Sequence, residues 1–222
     1  MAAKFFPARV KSRQARGLET RAAILAAAGS VFAESGFAGA RTESIAAAAG
    51  VNKALLFYYF KDLHGLYAAV LENQSRDFHQ EALALLTTSG SPRSILLRYV
   101  DLNFDRISKK RRFAPLHHQF FTTSHPAVSR LVRKYAVPRN LALKQLLERG
   151  IRDGEFREVD IRHTAISISA LTVFYFSVAP VLKHFGHTHA YSDADLKCRK
   201  QQVLDFIRYG LFRQPAAPIP TL

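Results

Sequence analysis

The stretch AAGVNKALLFYYFKD, residues 48–62, joins two short apolar segments through Gly50 and Val51. Asn52 is a favourable N-cap for a helix with the sequence KALLFYYF. The preceding segment RTESIAAAAG predicts another short helix, with Thr42 near its N-cap and Gly50 at its end. Two short helices joined by a turn that contains glycine are typical of a helix-turn-helix.

A shared small core accounts for the apolar residues of this motif. The residues that can face one another are Ile45, Ala49, Val51, Leu56 and Phe60. An amphipathic helix precedes the motif, and the stripe that would close the core consists of Ile24, Leu25, Ala28 and Phe32. Gly36 follows this helix at a point where the chain is expected to turn left-handed.

The outward face of the third helix carries a different set of side chains. With Leu56 and Phe60 committed to the core, the residues that remain outside are Lys53, Ala54, Phe57 and Tyr58. A cation, a small residue and aromatic rings suit the major groove of DNA and its flanking phosphates. The hydroxyls of Tyr58 and Tyr59 and the ammonium of Lys61 can hydrogen-bond phosphate. The alternative is that both tyrosines are half-buried residues of an ordinary helical bundle.

The composition favours an anionic partner. The 222 residues are 48% hydrophobic, which is enough for a buried core, and 32 Lys+Arg against 17 Asp+Glu give a net charge of +15. This surplus favours nucleic acid first and an acidic membrane surface second. The single Cys198 excludes an internal disulfide framework and a cysteine-rich zinc site. Because the N-terminus lacks the apolar run of about 7–15 residues found in signal peptides, we expect a cytoplasmic protein.

The helical pattern continues along the chain and predicts an all-α protein with a small N-terminal and a larger C-terminal domain. Asp62 can cap a long fourth helix, and Pro138 predicts a kink near Ala136–Val137. The expected parts are a basic flexible arm (1–17), the helix-turn-helix domain (18–62), a helical effector-binding and dimerisation domain (63–213) and a disordered tail (214–222).

One apolar stretch needs comparison with membrane helices. Residues 163–182 contain no Asp, Glu, Lys or Arg and are long enough to cross a bilayer. They also contain a histidine, several hydroxyl residues and Pro180, and no second span accompanies them. A helix buried against protein on most sides explains this stretch better, so no membrane partner is expected.

Residues 18–71 resemble the N-terminal DNA-binding domain of the TetR/AcrR family of bacterial transcriptional regulators. The resemblance rests on the start of the first helix, its phenylalanine-rich end FAESGF, the IAAAAGV turn and the run that ends in YYFK. It implies an all-α homodimer whose recognition helices bind the half-sites of a palindromic operator. It also implies a repressor that a small molecule releases from DNA.

The resemblance assigns DNA contacts to individual residues. The implied contact positions on and after the recognition helix are Lys53, Ala54, Phe57, Tyr58, Tyr59 and Lys61. Arg41 or Thr42 occupies the start of the second helix, where the family commonly has a hydroxyl residue. Two departures are expected to change the contacts. Leu55 replaces a frequent threonine, and Phe57 replaces a tyrosine hydroxyl with an apolar ring that suits a thymine methyl.

Two helices near the C-terminus are candidates for the dimer interface. The last helix has an apolar stripe that consists of Leu196, Val203, Leu204, Ile207 and Leu211. The helix before it has a small-residue face that consists of Ser169, Ala170, Val173 and Ser177. Two such helices from each subunit would form a four-helix interface about a two-fold axis. The alternative is that both stripes face the core of their own subunit.

Aromatic residues and histidines of the larger domain are candidates for an effector site. The residues expected to line an apolar cavity are Phe104, His117, His118, Phe120, Phe121, Phe174 and Tyr175. The family resemblance favours an apolar or aromatic effector, and the alternative is that these residues are plain core. A further group, His184, His187 and His189, either binds a metal or complements the dipole at a helix C-terminus.

No catalytic pattern appears in the sequence. It lacks a nucleophile elbow, a phosphate-binding glycine motif and a histidine/carboxylate pair at an informative spacing. Neither an enzyme nor a cofactor is therefore expected.

The leading interpretation is a sequence-specific DNA-binding regulator, specifically a ligand-released repressor. The alternative is a helical small-molecule or metal-binding protein whose basic surface contacts nucleic acid or membranes non-specifically.

Overall fold

The computed structural model describes residues 13–110, 125–186 and 189–213, and most of these residues are helical. The helices in chain order are α1 Arg13–Gly39, α2 Thr42–Ala48, α3 Lys53–Phe60, α4 Leu63–Leu86, α5 Pro92–Lys109, α6 Pro126–Leu131, α7 Val137–Arg152, α8 Ile161–Leu182 and α9 Asp193–Leu211. Within the described residues, β-structure is limited to an isolated antiparallel bridge between Phe156 and Phe212. The prediction of an all-α chain is confirmed.

Helices α3 and α4 begin after the residues expected to cap them, Asn52 and Asp62. Asn52 accepts a hydrogen bond from the backbone N–H of Leu55 at 2.8 Å, and Asp62 accepts one from that of Gly65 at 2.6 Å. Each bond satisfies an N–H group that has no partner in the first turn of a helix. Gly36 has a φ of 69° and interrupts α1, as expected for a left-handed residue.

The basic N-terminal segment is helical where the structure describes it. Helix α1 begins at Arg13, so residues 13–17 form its first turns, although they were predicted to belong to a flexible arm. Residues 1–12 of that arm and the predicted tail at 214–222 lie outside the described residues.

The chain divides into two compact units between Asn73 and Gln74, inside α4 and later than the boundary predicted after residue 62. The first half of α4 belongs to the first unit because it completes the core of that unit. Tyr67 is fully buried there, and its ring meets that of Phe32 edge-on, with 5.1 Å between the ring centres. Burial raises the pKa of the Tyr67 phenol to about 12. The other core residues contributed by α1, α2 and α3 are Ile24, Leu25, Ala28, Ile45, Ala46, Leu56 and Phe60.

A π-helical turn, Val132–Ala136, accommodates Pro138 in the second unit. A proline has no N–H group to donate and clashes with the preceding turn of an α-helix. Widening that turn by one residue lets the chain continue from α6 into α7 without a break. The irregularity expected near Ala136–Val137 therefore takes the form of a π-helical turn.

The core of the second unit is built by the second half of α4 together with α5, α7, α8 and α9. Phe156, in the loop after α7, is buried in it and stacks on Phe212, with 5.4 Å between the ring centres. The Arg93 guanidinium donates to the backbone carbonyls of Glu155 and Arg213. These contacts hold the segment after α7 beside the segment after α9.

Two described stretches, Gln14–Gly39 and Ile161–Ala179, are long and apolar enough to cross a membrane, judged by length and composition alone. Core helices of soluble proteins meet the same criterion. Ile24 and Phe32 on the first stretch and Ala165 and Ile168 on the second are buried. Each stretch therefore packs one face against the core of its own unit.

Candidate nucleic-acid interface

The third helix divides its side chains between core and solvent as the sequence predicts. Leu56 and Phe60 are buried, whereas Tyr58 is 79% exposed. Lys53, Ala54 and Tyr58 are exposed, and Phe57 beside them is half-buried. The Lys53 ammonium lies 5.9 Å from the centre of the Phe57 ring, one turn further along α3. Helix α3 therefore presents a cation, a small residue and two aromatic side chains on its outward side.

Tyr59 lies apart from this outward group. It is half-buried, and its hydroxyl approaches α1 at Gly17, where an added Cβ would lie 3.4 Å from the phenol oxygen. Its ring meets the Tyr58 ring edge-on, with 5.3 Å between the ring centres. The Tyr59 hydroxyl is thus placed beside the first turns of α1, which also carry the exposed Arg16.

Lys61 joins α3 to α4 in a strained backbone conformation. Its φ is 65° and its ψ is −53°, and the N–H of Asp62 donates to the Phe60 carbonyl at 2.8 Å. This bond closes a γ-turn of the kind that L-residues rarely adopt. The helices approach closely here, since a Cβ added to Gly65 would lie 2.3 Å from the Phe60 oxygen. The turn leaves the Lys61 side chain exposed at the C-terminal end of α3.

The start of α2 provides the remaining predicted contacts. Arg41 is exposed at the N-cap position, and its side chain makes no capping hydrogen bond. Thr42 is half-buried, and its hydroxyl donates to the Glu43 carboxylate at 3.1 Å. The Arg41 guanidinium is therefore accessible at this surface, whereas the Thr42 hydroxyl is already used within the unit.

The sequence interpretation missed Glu43. Lys53 donates to Glu43 Oε1 at 2.5 Å and so connects α3 with α2. The pKa of Glu43 is lowered to about 2, first by the hydrogen bond from Lys53 and then by those from the backbone N–H of Glu43 itself and from Thr42. Glu43 is the only carboxylate between residues 35 and 61. That isolation within a basic segment was the available signal, but a side-chain bond across the turn cannot be read from spacing.

The predicted dimer interface is corrected for α9. All five residues assigned to it are buried within the second unit, and they are Leu196, Val203, Leu204, Ile207 and Leu211. Four of them belong to the main core, and Leu196 belongs to a smaller aromatic cluster. The apolar stripe of α9 therefore packs against the core of its own unit, which is the alternative that the sequence left open.

The small-residue face of α8 is more accessible. Ala170 is exposed, whereas Ser169, Val173 and Ser177 are half-buried. The hydroxyls of Ser169 and Ser177 donate to carbonyls four residues earlier on the same helix. These residues therefore leave room for close packing without demanding a polar partner.

Large exposed apolar side chains also occur on each of these two helices. On α8, Ile166 and Phe174 are 61% and 63% exposed, and on α9, Phe206 and Tyr209 are 66% and 77% exposed. Ile166, Ala170 and Phe174 recur every four residues, and Phe206 and Tyr209 are three apart, so each set follows one side of its helix. Exposed apolar patches of this kind mark interaction sites.

The residues predicted to line an effector cavity separate in the structure. Phe104 and Tyr175 are buried with Phe176, whose ring centre lies 5.0 Å from that of Phe104. Phe174 points to solvent, because successive residues of a helix face different directions, so its assignment to the cavity is wrong. Four candidates lie outside the described residues, namely His117, His118, Phe120 and Phe121.

A buried polar pair lies close in sequence to this aromatic cluster. Asn103 precedes Phe104, and its Nδ2 donates to Thr172 Oγ1 at 2.9 Å. Both residues are buried. The Tyr175 hydroxyl donates to the Ala190 carbonyl and to the Asp195 carboxylate. Burial, and to a smaller extent the bond to Asp195, raise the pKa of the Tyr175 phenol above its ordinary value. Small-molecule sites combine apolar rings with a few polar groups around a cavity. Here the rings pack against one another as core, which is the alternative that the sequence left open.

Two other features of the second unit stand apart from this cluster. A groove of about 390 Å³ lies between α4 and α5, and Glu81, Arg98 and Asp101 are among its lining residues. It contains none of the effector residues predicted from the sequence. His184 and His189 are exposed and, within the part of the chain that the structure describes, belong to no group that could hold a metal ion. His187 lies outside that part.

Two family models match the chain. The model for bacterial regulatory proteins of the tetR family matches residues 24–70, which include α2, α3 and the turn between them. The model for the tetracyclin repressor-like C-terminal domain matches residues 92–207, from the start of α5 into α9.

Relatives with known roles cover most of the chain. The HTH-type transcriptional repressor NicS of Pseudomonas putida is 29% identical over 179 residues, which are 79% of this chain and 84% of NicS. The HTH-type transcriptional regulator RutR of Escherichia coli is 30% identical over 162 residues, which are 71% and 74% of the two chains. A Saccharomonospora viridis transcriptional regulator crystallised with choline shares the fold, with a TM-score of 0.69 at 22% identity over 89% of this chain and 100% of that one.

These matches favour the regulator over the alternative of a binding protein with a merely basic surface. They agree with the resemblance carried by residues 18–71, and the matching family consists of transcriptional regulators, which are generally not enzymes. The chain therefore belongs to the TetR family of bacterial regulatory proteins and is a DNA-binding transcriptional regulator.

Proposed function

We propose that the protein binds a palindromic operator as a homodimer, with α3 of each subunit in a major groove. The outward face of α3 carries this proposal, because Tyr58 is 79% exposed while Leu56 and Phe60 fix the helix to its unit. A helix held in this way can present side chains to base edges without loss of packing. Two copies related by a two-fold axis would contact half-sites about 34–36 Å apart on one side of the duplex.

The proposed contacts divide between bases and phosphates. Base contacts are proposed for Lys53, Ala54, Phe57 and Tyr58, because they form the outward side of α3. Phosphate contacts are proposed for Arg41, Tyr59 and Lys61, which lie at the start of α2 or towards the end of α3. The contact predicted for Thr42 is not proposed again, because its hydroxyl donates to the Glu43 carboxylate. Phosphate contacts fix the register of the protein on DNA, and base contacts supply sequence preference.

The dimer contact is proposed on the exposed apolar face of α8 and α9. This face combines Ile166, Ala170 and Phe174 of α8 with Phe206 and Tyr209 of α9. Burying these side chains against their copies would remove apolar surface from water. The same two helices were predicted to dimerise, but the residues proposed for α9 are now those on the side opposite the core.

A small, apolar or aromatic effector is proposed for the second unit. The support is the aromatic cluster of Phe104, Tyr175 and Phe176 together with the buried Asn103–Thr172 hydrogen bond. Helix α4 contributes residues to both units and would transmit the effect of ligand binding. An effector would release operator DNA if it bound better to a conformation in which the two α3 helices no longer match successive major grooves. We place this activity in the cytoplasm, where operator DNA is accessible.

Replacement of Tyr58 by alanine tests the proposed base contact. We expect the affinity for the operator to fall about tenfold and the affinity for random DNA to fall less than about threefold, because base contacts contribute to specific binding alone. Since Tyr58 is 79% exposed in the free protein, its removal leaves the core intact. Titration of labelled operator and random duplexes gives both affinities. Equal losses on the two DNAs would show that Tyr58 makes a non-specific contact.

Replacement of Lys61 by glycine separates backbone strain from phosphate binding. Glycine adopts positive φ without a Cβ penalty, so the free energy of unfolding is expected to rise by about 0.5–1 kcal/mol. Loss of the ammonium should weaken binding to operator and random DNA alike, by about three- to tenfold. The slope of log affinity against log salt should become shallower by about 0.9.

The matched control is Lys61→Ala, which removes the same charge but keeps a Cβ at φ 65°. It is expected to show the same loss of DNA affinity with no gain in stability. A salt slope that stays unchanged in both variants would remove Lys61 from the phosphate contacts. Denaturant unfolding of the two variants side by side measures the strain itself.

A further inference from the structure

We infer that Glu43 is a specificity-determining residue, because it holds the Lys53 ammonium away from the DNA backbone. Lys53 then contributes more to operator binding than to the binding of random DNA. This inference rests on the proposed role of α3 as the recognition helix. Between residues 35 and 61, Glu43 is the single carboxylate among the cations Arg41, Lys53 and Lys61.

Both oxygens of the Glu43 carboxylate are held. Lys53 donates to Oε1 at 2.5 Å, and the Thr42 hydroxyl donates to Oε2 at 3.1 Å. The Lys53 ammonium also lies 5.9 Å from the centre of the Phe57 ring. The ammonium is therefore held between the start of α2 and the first turn of α3, although both side chains of the pair are more than half exposed.

Glu43 is negatively charged at neutral pH. Its pKa is lowered to about 2, first by the hydrogen bond from Lys53. A carboxylate close to a phosphate-binding surface repels the DNA backbone, and the paired lysine must leave it in order to neutralise a phosphate. Each phosphate that a lysine neutralises releases counterions and so adds to the salt dependence of binding.

Random and operator DNA differ in what Lys53 can gain. On random DNA, a phosphate is the only partner that recurs at every site, and the bond to Glu43 competes with it. On the operator, Lys53 lies over base edges, where lysine bonds the acceptors of guanine. There the bond to Glu43 helps to direct the ammonium into the groove. Losing Glu43 should therefore help random binding more than it helps operator binding.

The test is Glu43→Gln, which keeps the shape of the side chain and removes its charge. Affinity for random duplex DNA is expected to rise about three- to tenfold at about 100 mM salt, with a salt slope steeper by about 0.9. Operator affinity is expected to change less than about twofold, so the ratio of specific to random affinity falls. Glu34→Gln is the matched control, because Glu34 is an exposed carboxylate on α1 and its loss changes the net charge equally.

The Lys53→Met background shows whether the effect passes through Lys53. In that background, Glu43→Gln is expected to raise random affinity less than about twofold. If Glu43→Gln raised the affinity for random DNA about three- to tenfold in the Lys53→Met background as well, the inference would be overturned, because the carboxylate would then repel phosphate directly. Equal gains in Glu43→Gln and Glu34→Gln would overturn it as an effect of bulk charge. A loss confined to the operator would also overturn it, since Glu43 would then be reading a base.

Failure of this inference is distinguishable from failure of the proposed function. If the unmodified protein prefers no DNA sequence over any other, the recognition role of α3 is wrong. If the unmodified protein has an operator and Glu43→Gln leaves the ratio of specific to random affinity unchanged, the role of Glu43 alone is wrong.

Discussion

Phe206→Arg is expected to convert the proposed dimer into a monomer and to lower operator affinity more than about 100-fold. Phe206 is 66% exposed on α9, within the proposed contact face. A two-fold axis would bring two copies of the new cation into one apolar interface, where neither has a partner. A monomer binds a single half-site. It therefore loses the gain in affinity, about 10²–10⁴-fold, that a dimer obtains when its first bound subunit holds the second subunit close to the other half-site.

Leu141→Arg provides the matched control for this result. Leu141 is an exposed apolar residue on α7 and lies outside the proposed contact face. We expect this variant to remain a dimer and to bind operator normally. Light scattering over a range of protein concentrations measures the mass, and operator titration measures the affinity. A dimeric Phe206→Arg with normal affinity, or dissociation caused by Leu141→Arg instead, would place the interface elsewhere.

Gly150→Ala is expected to lower the free energy of unfolding of the second unit by about 2 kcal/mol or more. A Cβ at this position would lie 2.1 Å from a ring carbon of Phe156. The Phe156 ring is buried and stacked on Phe212, so it cannot move aside without disturbing the segment after α9. Overpacking of this kind costs about 1–3 kcal/mol and occasionally more, which outweighs the preference of a helix for alanine.

Gly210→Ala is the control for the backbone effect of the same substitution. Gly210 lies in α9, and a Cβ there meets no atom within 4 Å. Alanine should therefore stabilise the protein by about 0.5–1 kcal/mol through helix propensity and a less flexible unfolded chain. Denaturant unfolding at a fixed protein concentration measures both variants. Two variants of equal stability would show that the Phe156 ring has room to move.

The first unit was predictable in detail because its signals are local. Asn52 and Asp62 cap the helices that follow them, and both assignments depend on residues within a single turn. The division of α3 between buried Leu56 and exposed Tyr58 follows from helical periodicity once one core residue is known. The family resemblance added the expected DNA contacts, which remain proposals.

The second unit was less predictable because its faces depend on distant partners. Periodicity identified the apolar stripe of α9, but it does not say whether such a stripe meets the unit's own core or another subunit. The structure buries Leu204 and Ile207 and exposes Phe206, so the stripe faces inward. Phe174 and Tyr175 show the same limit, since a run of aromatic residues on a helix does not reveal which of them point inward.

The contact between charged side chains across the turn also could not be predicted from the sequence. The Glu43–Lys53 hydrogen bond joins residues ten apart on two helices, and its formation depends on the angle between α2 and α3. The boundary inside α4 was missed for a related reason. Tyr67 lies beyond the helix-turn-helix, yet it completes the core of the first unit through its contact with Phe32.

Operator recognition is tested most directly by selecting binding sites from a random pool of double-stranded DNA with the 222-residue chain. A salt concentration of about 150 mM suppresses binding through bulk charge. We predict recovery of a dyad-symmetric sequence whose half-sites are separated by about one turn of the DNA helix or a multiple of it. Recovery of unrelated sequences with no shared half-site would contradict a dimer that reads DNA through α3.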